Sequence, residues 1–209
     1  MTPQHYQDVL RAAASFGARL EDGTVGRLES YLELLKAWSR TTRLVGDPSD
    51  DALVHRHVID SLAVLPHLPT TGRVADIGSG AGFPGLVLAC SRPEADVLLV
   101  EPRRRRASFL RDVARRVPLP GVSIAEARAE DLRAAATGNL GATISRALRL
   151  DHFLGVSWPL LQPGGLAVAM QTAQAALFDV EQLGAARQFS LVDTSDYELP
   201  DGRARRILV

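Results

Sequence analysis

The chain has 209 residues, 46% hydrophobic and 23% charged, a balance that suits one sizeable core with a small appendage and excludes a disordered polymer. Lys+Arg and Asp+Glu both number 24, so bulk charge makes no case for nucleic acid. No apolar run reaches the ~20 residues of a membrane span, and no secretion signal follows Met1. Cys90 is the only cysteine, which excludes an internal disulfide and points to a cytoplasmic setting and an inert buried thiol. All the bases but Lys36 are arginine, and arginine forks suit phosphate and guanine edges better than lysine does.

Residues 1–71 carry helical periodicity and no strand signal. Thr24 or Asp22 is positioned to cap a helix whose Leu28, Tyr31, Leu32, Leu35 and Trp38 share one face. That stripe predicts core packing for Tyr31 and Trp38 rather than a base-stacking platform. A further helix is predicted from Ser49–Asp51 to Leu65, where Pro66 stops it. After Gly72 the pattern changes. Strands are predicted at Arg73–Ile77, Val97–Glu101, Val122–Ala125, Ala142–Ser145, Leu166–Met170, Ser190–Tyr197 and Arg205–Val209, with helices at Ala107–Arg116 and Asp151–Leu161. Alternating strands and helices imply a parallel sheet covered on both faces. The last two strands, joined by "LPDGRAR", have no room for a helix and read as a closing hairpin. The expected architecture is α/β: a seven-stranded, mostly parallel, Rossmann-like sheet (72–209) behind a helical N-terminal cap (1–71).

The stretch "VADIGSGAGFPG" (74–85) lies between the first strand and the next helix, where open α/β sheets bind ligands. Gly78, Gly80 and Gly82 are spaced two apart, and Phe83 stands where a dinucleotide fingerprint needs its third glycine. No Gly-Lys-Ser/Thr follows, which excludes a phosphate-cradling P-loop. Asp76 precedes the loop and would repel a pyrophosphate but suit an ammonium group. Glu101 ends the next strand, placed to accept both hydroxyls of a ribose. An ammonium and a ribose on neighbouring strands point to S-adenosyl-L-methionine.

"VADIGSGAGFPG", "LLVEPRRRRASFLRDV", "EARAEDL" and "ISRAL" stand in the order and spacing of class I methyltransferases. With "LLKAWSRTTRLV" and "HRHVIDSLAVLPHL" in the cap, nearly the whole chain resembles the RsmG (GidB) family, which methylates N7 of a guanine in 16S ribosomal RNA. The resemblance implies that Gly78 and Phe83 belong to the cofactor loop and that Glu101 is the ribose acid. It implies that Ala129 and Glu130 border the adenine, with Arg128 just before them. It also implies that Arg146 lines the floor of the site and that Arg205 is the counterpart of an arginine near the family's C-terminus, with Arg206 as the alternative register. Two departures stand out. "AMQTA" (Met170–Ala173 within it) replaces the family's lysine-glycine pair, and Arg43-Leu44-Val45 replaces Asn-Leu-Thr.

The expected cofactor-binding set is therefore Asp76, Gly78, Gly80, Phe83, Glu101, Ala129, Glu130 and Arg146. Arg128, Arg146 and Arg205 are expected to position substrate without a general base. The partner implied is 16S ribosomal RNA or a small-subunit precursor, bound by a monomer. Guanine N7 carries a lone pair and no proton, so positioning suffices. On a helix the run Arg103–Arg106 points all round, yet cations sit poorly at a helix N-terminus, and a phosphate partner for some of them is one reading. His55 and His57 diverge by about 200° on a helix, so no shared metal is expected, and His57 is placed to bond Asp60. A methyltransferase acting on a small molecule or protein, and a cofactor-binding homologue without activity, are the competing expectations. No Asn/Asp-Pro-Pro-aromatic motif follows the fourth strand, which argues against adenine-N6 or amide methylation.

Overall fold

The computed structural model describes residues 1–132, 138–146, 148–173 and 188–209. Seven strands form one sheet: β1 (Arg73–Ile77), β2 (Val97–Val100), β3 (Val122–Ala125), β4 (Leu140–Ser145), β5 (Leu161–Thr172), β6 (Thr194–Glu198) and β7 (Ala204–Leu208). Their order is β3-β2-β1-β4-β5-β7-β6, and β1 to β5 run parallel while β7 is antiparallel to both its neighbours. The order reverses between β1 and β4, which opens a crevice above their C-terminal ends. β1, β2 and β4 are almost wholly buried, as strands covered on both faces must be.

The helices are α1 (Pro3–Phe16), α2 (Thr24–Ser39), α3 (Asp50–Leu53), α4 (Ile59–Leu62), α5 (Gly85–Ser91), α6 (Arg104–Arg116) and α7 (Leu150–Ser157). α1 starts at a capping box between Thr2 and His5 and ends on Gly17 in the left-handed region. Buried Val9, Leu28, Leu32, Leu35, Val58 and Leu62 of the first helices share one apolar core with Leu86, Phe109, Val97, Leu99 and Ile144. On the opposite sheet face Leu98, Val100, Ala75 and Ala167 pack with Phe153 and Leu154 of α7. Tyr31 is fully buried, and Trp38 packs against the core with its indole Nε1 donating to Asp112 Oδ2 at 2.9 Å. Cys90 is buried, which pushes its thiol up to about 12 and leaves it inert.

Several boundaries differ from the sequence reading. α2 is entered from Gly23 in the left-handed conformation with no side-chain cap. Thr24 is already helical, and its hydroxyl donates back to the Glu21 carbonyl. Ser49 does cap α3, but Val54–Val58 between α3 and α4 is a π-helical turn, and Pro66 sits in a short 3-10 turn. α7 stops at Ser157, and β5 begins at Leu161 instead of Leu166. The Pro163-Gly164-Gly165 breaker bulges out, so Leu140 pairs with Leu161 while Ala142 pairs with Leu166. In the closing hairpin Tyr197 pairs with Arg205, and Asp196 with Arg206.

One close approach fixes the entry to α5. A Cβ on Gly85 would lie 2.4 Å from Leu99 Cδ2 and 2.7 Å from Asp76 Oδ2. Only a bare Cα lets the Gly85 N–H reach the Asp76 carboxylate at 3.0 Å. Gly85→Ala is expected to destabilise the fold by ~1–3 kcal/mol through overpacking. Urea denaturation of the purified variant measures this, and an unchanged midpoint would show that the approach is slack.

Candidate active site

The glycine loop rises from the end of β1 and turns under three positive φ angles: Gly78 at 78°, Gly80 at 58° and Gly82 at 98°. The Gly78 and Ser79 N–H groups both donate to the Val100 carbonyl, at 2.9 and 3.0 Å, and Gly82 closes the turn on Ser79. A Cβ on Gly82 would meet Leu86 Cδ1 at 2.4 Å. From the helical side, Tyr31 of α2 donates its hydroxyl to the Ala81 carbonyl at 2.6 Å. Burial holds that phenol well above its usual range, so it remains a donor.

Two acids flank the loop and do different things. Asp76 is 1% exposed, and burial pushes its carboxyl up to about 7 against the opposing Gly85 hydrogen bond. Its Oδ1 is buried without a hydrogen-bond partner among the described residues. Asp76 therefore props the loop from beneath, and an ammonium would have to reach a fully covered oxygen. Glu101, just past β2, is 3% exposed; its Oε2 accepts from Gly80 N at 3.0 Å and its Oε1 from Arg103 N at 2.8 Å. These bonds fix the carboxylate, and each oxygen keeps a lone pair for a ribose hydroxyl. Ala129 and Glu130 lie in a 3-10 turn (Ala129–Leu132) beyond β3, Ala129 buried and Glu130 exposed 3.4 Å from His152. Arg128 precedes them, exposed and without an ion pair among the described residues. Arg106 brings its NH1 within 3.6 Å of where a Gly80 Cβ would be.

On the other side of the loop the arginines converge on Asp60, which the spacing pairs only with His57. Asp60 of α4 is 2% exposed. Its Oδ1 accepts the Tyr197 hydroxyl at 2.8 Å and faces Arg205 Nε at 3.6 Å, while its Oδ2 lies 3.4 Å from Arg146 NH1. Arg146 thus joins Arg205, while Arg206 turns away to clasp Asp196 at 2.6 and 2.7 Å. The expected bond between His57 and Asp60 is absent. The π turn widens the helix so that residues three apart no longer align, and His57 stacks on Phe83 instead, centroids 5.0 Å apart. The Arg146 guanidinium also lies over that ring, at 5.1 Å. Phe83, 4% exposed, thereby serves as a platform for His57 and Arg146.

A cavity of about 320 Å³ opens here, lined by Arg56, His57, Asp60, Arg146, Leu148, Met170, Gln171, Thr172, Arg203 and Arg205. It adjoins the glycine loop through Leu148, whose side chain stands 3.8 Å from where a Gly78 Cβ would be. Burial first, and the neighbouring Arg146 second, lower His57 to about 4, so the imidazole is neutral at physiological pH. Arg56 and Arg203 escaped the sequence reading because nothing in their local spacing marks them. They supply positive charge beside "AMQTA", where the resemblance led us to expect a lysine. A larger apolar cavity of about 450 Å³, with Trp158, Leu161, Pro163 and Phe189 in its wall, has no ionisable lining and sits by the start of β5, away from the loop. A third grouping, His5, Asp51 and His55, brings ring and carboxylate atoms within 4.8 Å of one another, a cluster the sequence reading did not find. His5 Nδ1 accepts the Thr2 N–H, and His55 holds Asp51 and Asp8 at its two ring nitrogens, so both imidazoles are already engaged.

Comparison with known proteins matches residues 25–206 to the family model for rRNA small subunit methyltransferase G. "Ribosomal RNA small subunit methyltransferase G" of Desulfotalea psychrophila is 33% identical over all of this chain and 99% of the relative. That of an Anaeromyxobacter species is 32% identical over all of this chain and 97% of the relative. Among solved structures, the B. subtilis tRNA methyltransferase TrmK superposes with TM-score 0.59 at 17% identity, covering 71% of this chain and 63% of that one. P. horikoshii TYW2 in complex with MeSAdo superposes with TM-score 0.57 at 12% identity, covering 73% of this chain and 61% of that one. These structures share the class I methyltransferase fold, and the full-length matches complete the assignment: the chain belongs to the rRNA small subunit methyltransferase G family.

Proposed function

We propose that this chain transfers the methyl group of S-adenosyl-L-methionine to N7 of a guanine in 16S ribosomal RNA. Family membership supports the methyltransferase and the ribosomal RNA. The observation that carries N7 is the cavity beside the loop, which offers arginines and no free base. Among the described residues its one lining carboxylate, Asp60, is taken by Tyr197, Arg146 and Arg205, and its one imidazole, His57, is held near 4 by burial and Arg146, too weak a base to take a proton at neutral pH. A nucleophile that must lose a proton would find no base of matching strength among the described residues here.

The cofactor supplies an electrophilic methyl on a sulfonium. As the C–N7 bond forms, the C–S bond breaks and its electron pair stays on sulfur, so the positive charge passes to the guanine. The protein's contribution is alignment. Glu101 fixes the ribose through oxygens already oriented by Gly80 and Arg103, Gly78 and Gly80 keep the backbone bare, and Ala129 and Glu130 border the adenine. Arg146, held over Phe83 by Asp60, faces the guanine O6 edge, with Arg205 and Arg128 beside it. Residues 1–71 act as a cap that carries Asp60, His57 and Tyr31 to a core of 72–209. No described helix is long and apolar enough to cross a membrane, and we take the enzyme to work as a cytoplasmic monomer. Arg103, Arg104 and Arg105 at the start of α6 are exposed, without an ion pair among the described residues, and suit RNA phosphates.

Deleting the gene should remove one N7-methylguanine from 16S ribosomal RNA, read by mass spectrometry of nuclease fragments; an identical methylation pattern would defeat the assignment. Glu101→Ala should weaken cofactor binding by ~1.5–3 kcal/mol, as expected for a charge-assisted acceptor. Calorimetry showing unaltered affinity would remove the ribose role. Single-turnover rates at saturating cofactor and RNA should stay flat from roughly pH 6 to 8, because His57 loses its proton near 4 and is neutral throughout. Asp76 changes charge near 7 beneath the loop, and the Asp76→Asn profile separates that titration from catalysis. A unit slope persisting in this variant would mean a general base and a protonated nucleophile.

A further inference from the structure

The cavity beside Asp60 carries more positive charge than its carboxylates compensate. Arg146 and Arg205 share Asp60, and Arg56 Nε and Arg203 Nε each lie 3.2 Å from one oxygen of Asp201. Among the described residues, two carboxylates therefore answer four guanidinium groups around one space of about 320 Å³. Within its wall, His57 Nδ1 and Arg205 Nε are buried with no hydrogen-bond partner among the described residues. A buried polar group left unpaired is costly, and both nitrogens belong to side chains that line this cavity, so a partner entering it is a way to satisfy them. The surplus of guanidinium charge makes that partner an anion, and several donors converging from different sides suit the oxygens of a phosphate.

We propose that this cavity binds one phosphate group, held by Arg56, His57, Arg203 and Arg205. During methyl transfer the group is the phosphodiester next to the target nucleotide, a clause that rests on the proposed function. The four donors come from two places that the fold brings together: the π turn of the cap (Arg56, His57) and the closing hairpin (Arg203, Arg205). Arg146, at the side of the cavity nearest the loop, is left to face the base. The neutral His57 is able to donate through Nδ1.

The test titrates inorganic phosphate, guanosine 5′-monophosphate and guanosine, by calorimetry, into protein saturated with S-adenosylhomocysteine. Phosphate and the monophosphate should bind, with guanosine about tenfold weaker or more, as loss of charge-assisted bonds predicts. Arg56→Gln with Arg203→Gln should lose about tenfold in phosphate affinity while S-adenosylhomocysteine affinity is unchanged. Both side chains are partly exposed, at 41% and 52%, so the replacements bury nothing new. Asp201→Asn removes the carboxylate that competes for both arginines and should tighten phosphate binding, a gain that misfolding cannot mimic. With RNA, the double variant should raise KM at constant kcat and make the salt dependence of binding shallower by about one unit. Phosphate affinity indifferent to these substitutions would overturn the site. Displacement of phosphate by S-adenosylhomocysteine would overturn it too, by assigning the pocket to the cofactor's carboxylate. Phosphate binding as described with no methylation of 16S RNA would keep the site and discard the ribosomal substrate. An unchanged KM in the double variant would discard the catalytic role of the phosphate.

Discussion

A carboxylate buried in a protein must be compensated, and Asp60 is compensated by groups from every part of the chain that borders the site. It sits on a cap helix at 2% exposure, and its partners are Arg146 at the end of β4, Tyr197 on β6 and Arg205 on β7. Leaving such a charge alone in the interior would cost several kcal/mol. The cheapest arrangement for Asp60 is therefore one in which cap, central sheet and hairpin are all in place. The same demand fixes the direction of Arg146 and Arg205, whose side chains would otherwise be free to roam at about a fifth exposed. The N-terminal helices thus share in the cluster around Asp60, although they carry no residue of the glycine loop.

The glycine loop is governed by a second set of constraints, independent of Asp60. Its three left-handed turns could be adopted in several ways by so bare a backbone. Val100 below, Glu101 beside and Tyr31 above select one of them. Glycine supplies conformational freedom, and the surrounding hydrogen bonds take that freedom away. The result is a rigid, uncovered stretch of backbone next to a fixed carboxylate, which is what a nucleoside needs from its host.

Much of this was legible in the residues because it is local. Strand–helix alternation predicts the parallel sheet, the glycine spacing excludes two phosphate-binding loops, and Glu101 follows its strand at once. Arg146 and Arg205 emerged through resemblance, and the structure brings both to one acid. What stayed hidden depends on contacts between distant segments. Asp60 is 137 positions from Tyr197, and no spacing rule joins them. Arg56, Arg203 and the His5–His55 grouping are hidden for the same reason. The misplaced His57 bond has a different origin: a π turn leaves no signature in the pattern of apolar residues, so ideal helix geometry aimed the side chain wrongly. At the β5 bulge, the glycines looked like an end when they were an excursion within a strand.

The pairing of Tyr197 with Arg205, and of Asp196 with Arg206, gives the hairpin an all-or-none property. Neighbouring residues on a strand face opposite ways, so one pair reaches Asp60 while the other closes on itself outside. The tight connection at 199–203, turned by Gly202, sets which pair is which. Inserting or deleting a single residue there would rotate Arg206 inward and Arg205 outward without altering the identity of either. The length of a surface turn thus matters as much as the identity of the arginine it delivers, and a frame-preserving indel in that turn is equivalent to a substitution beside Asp60.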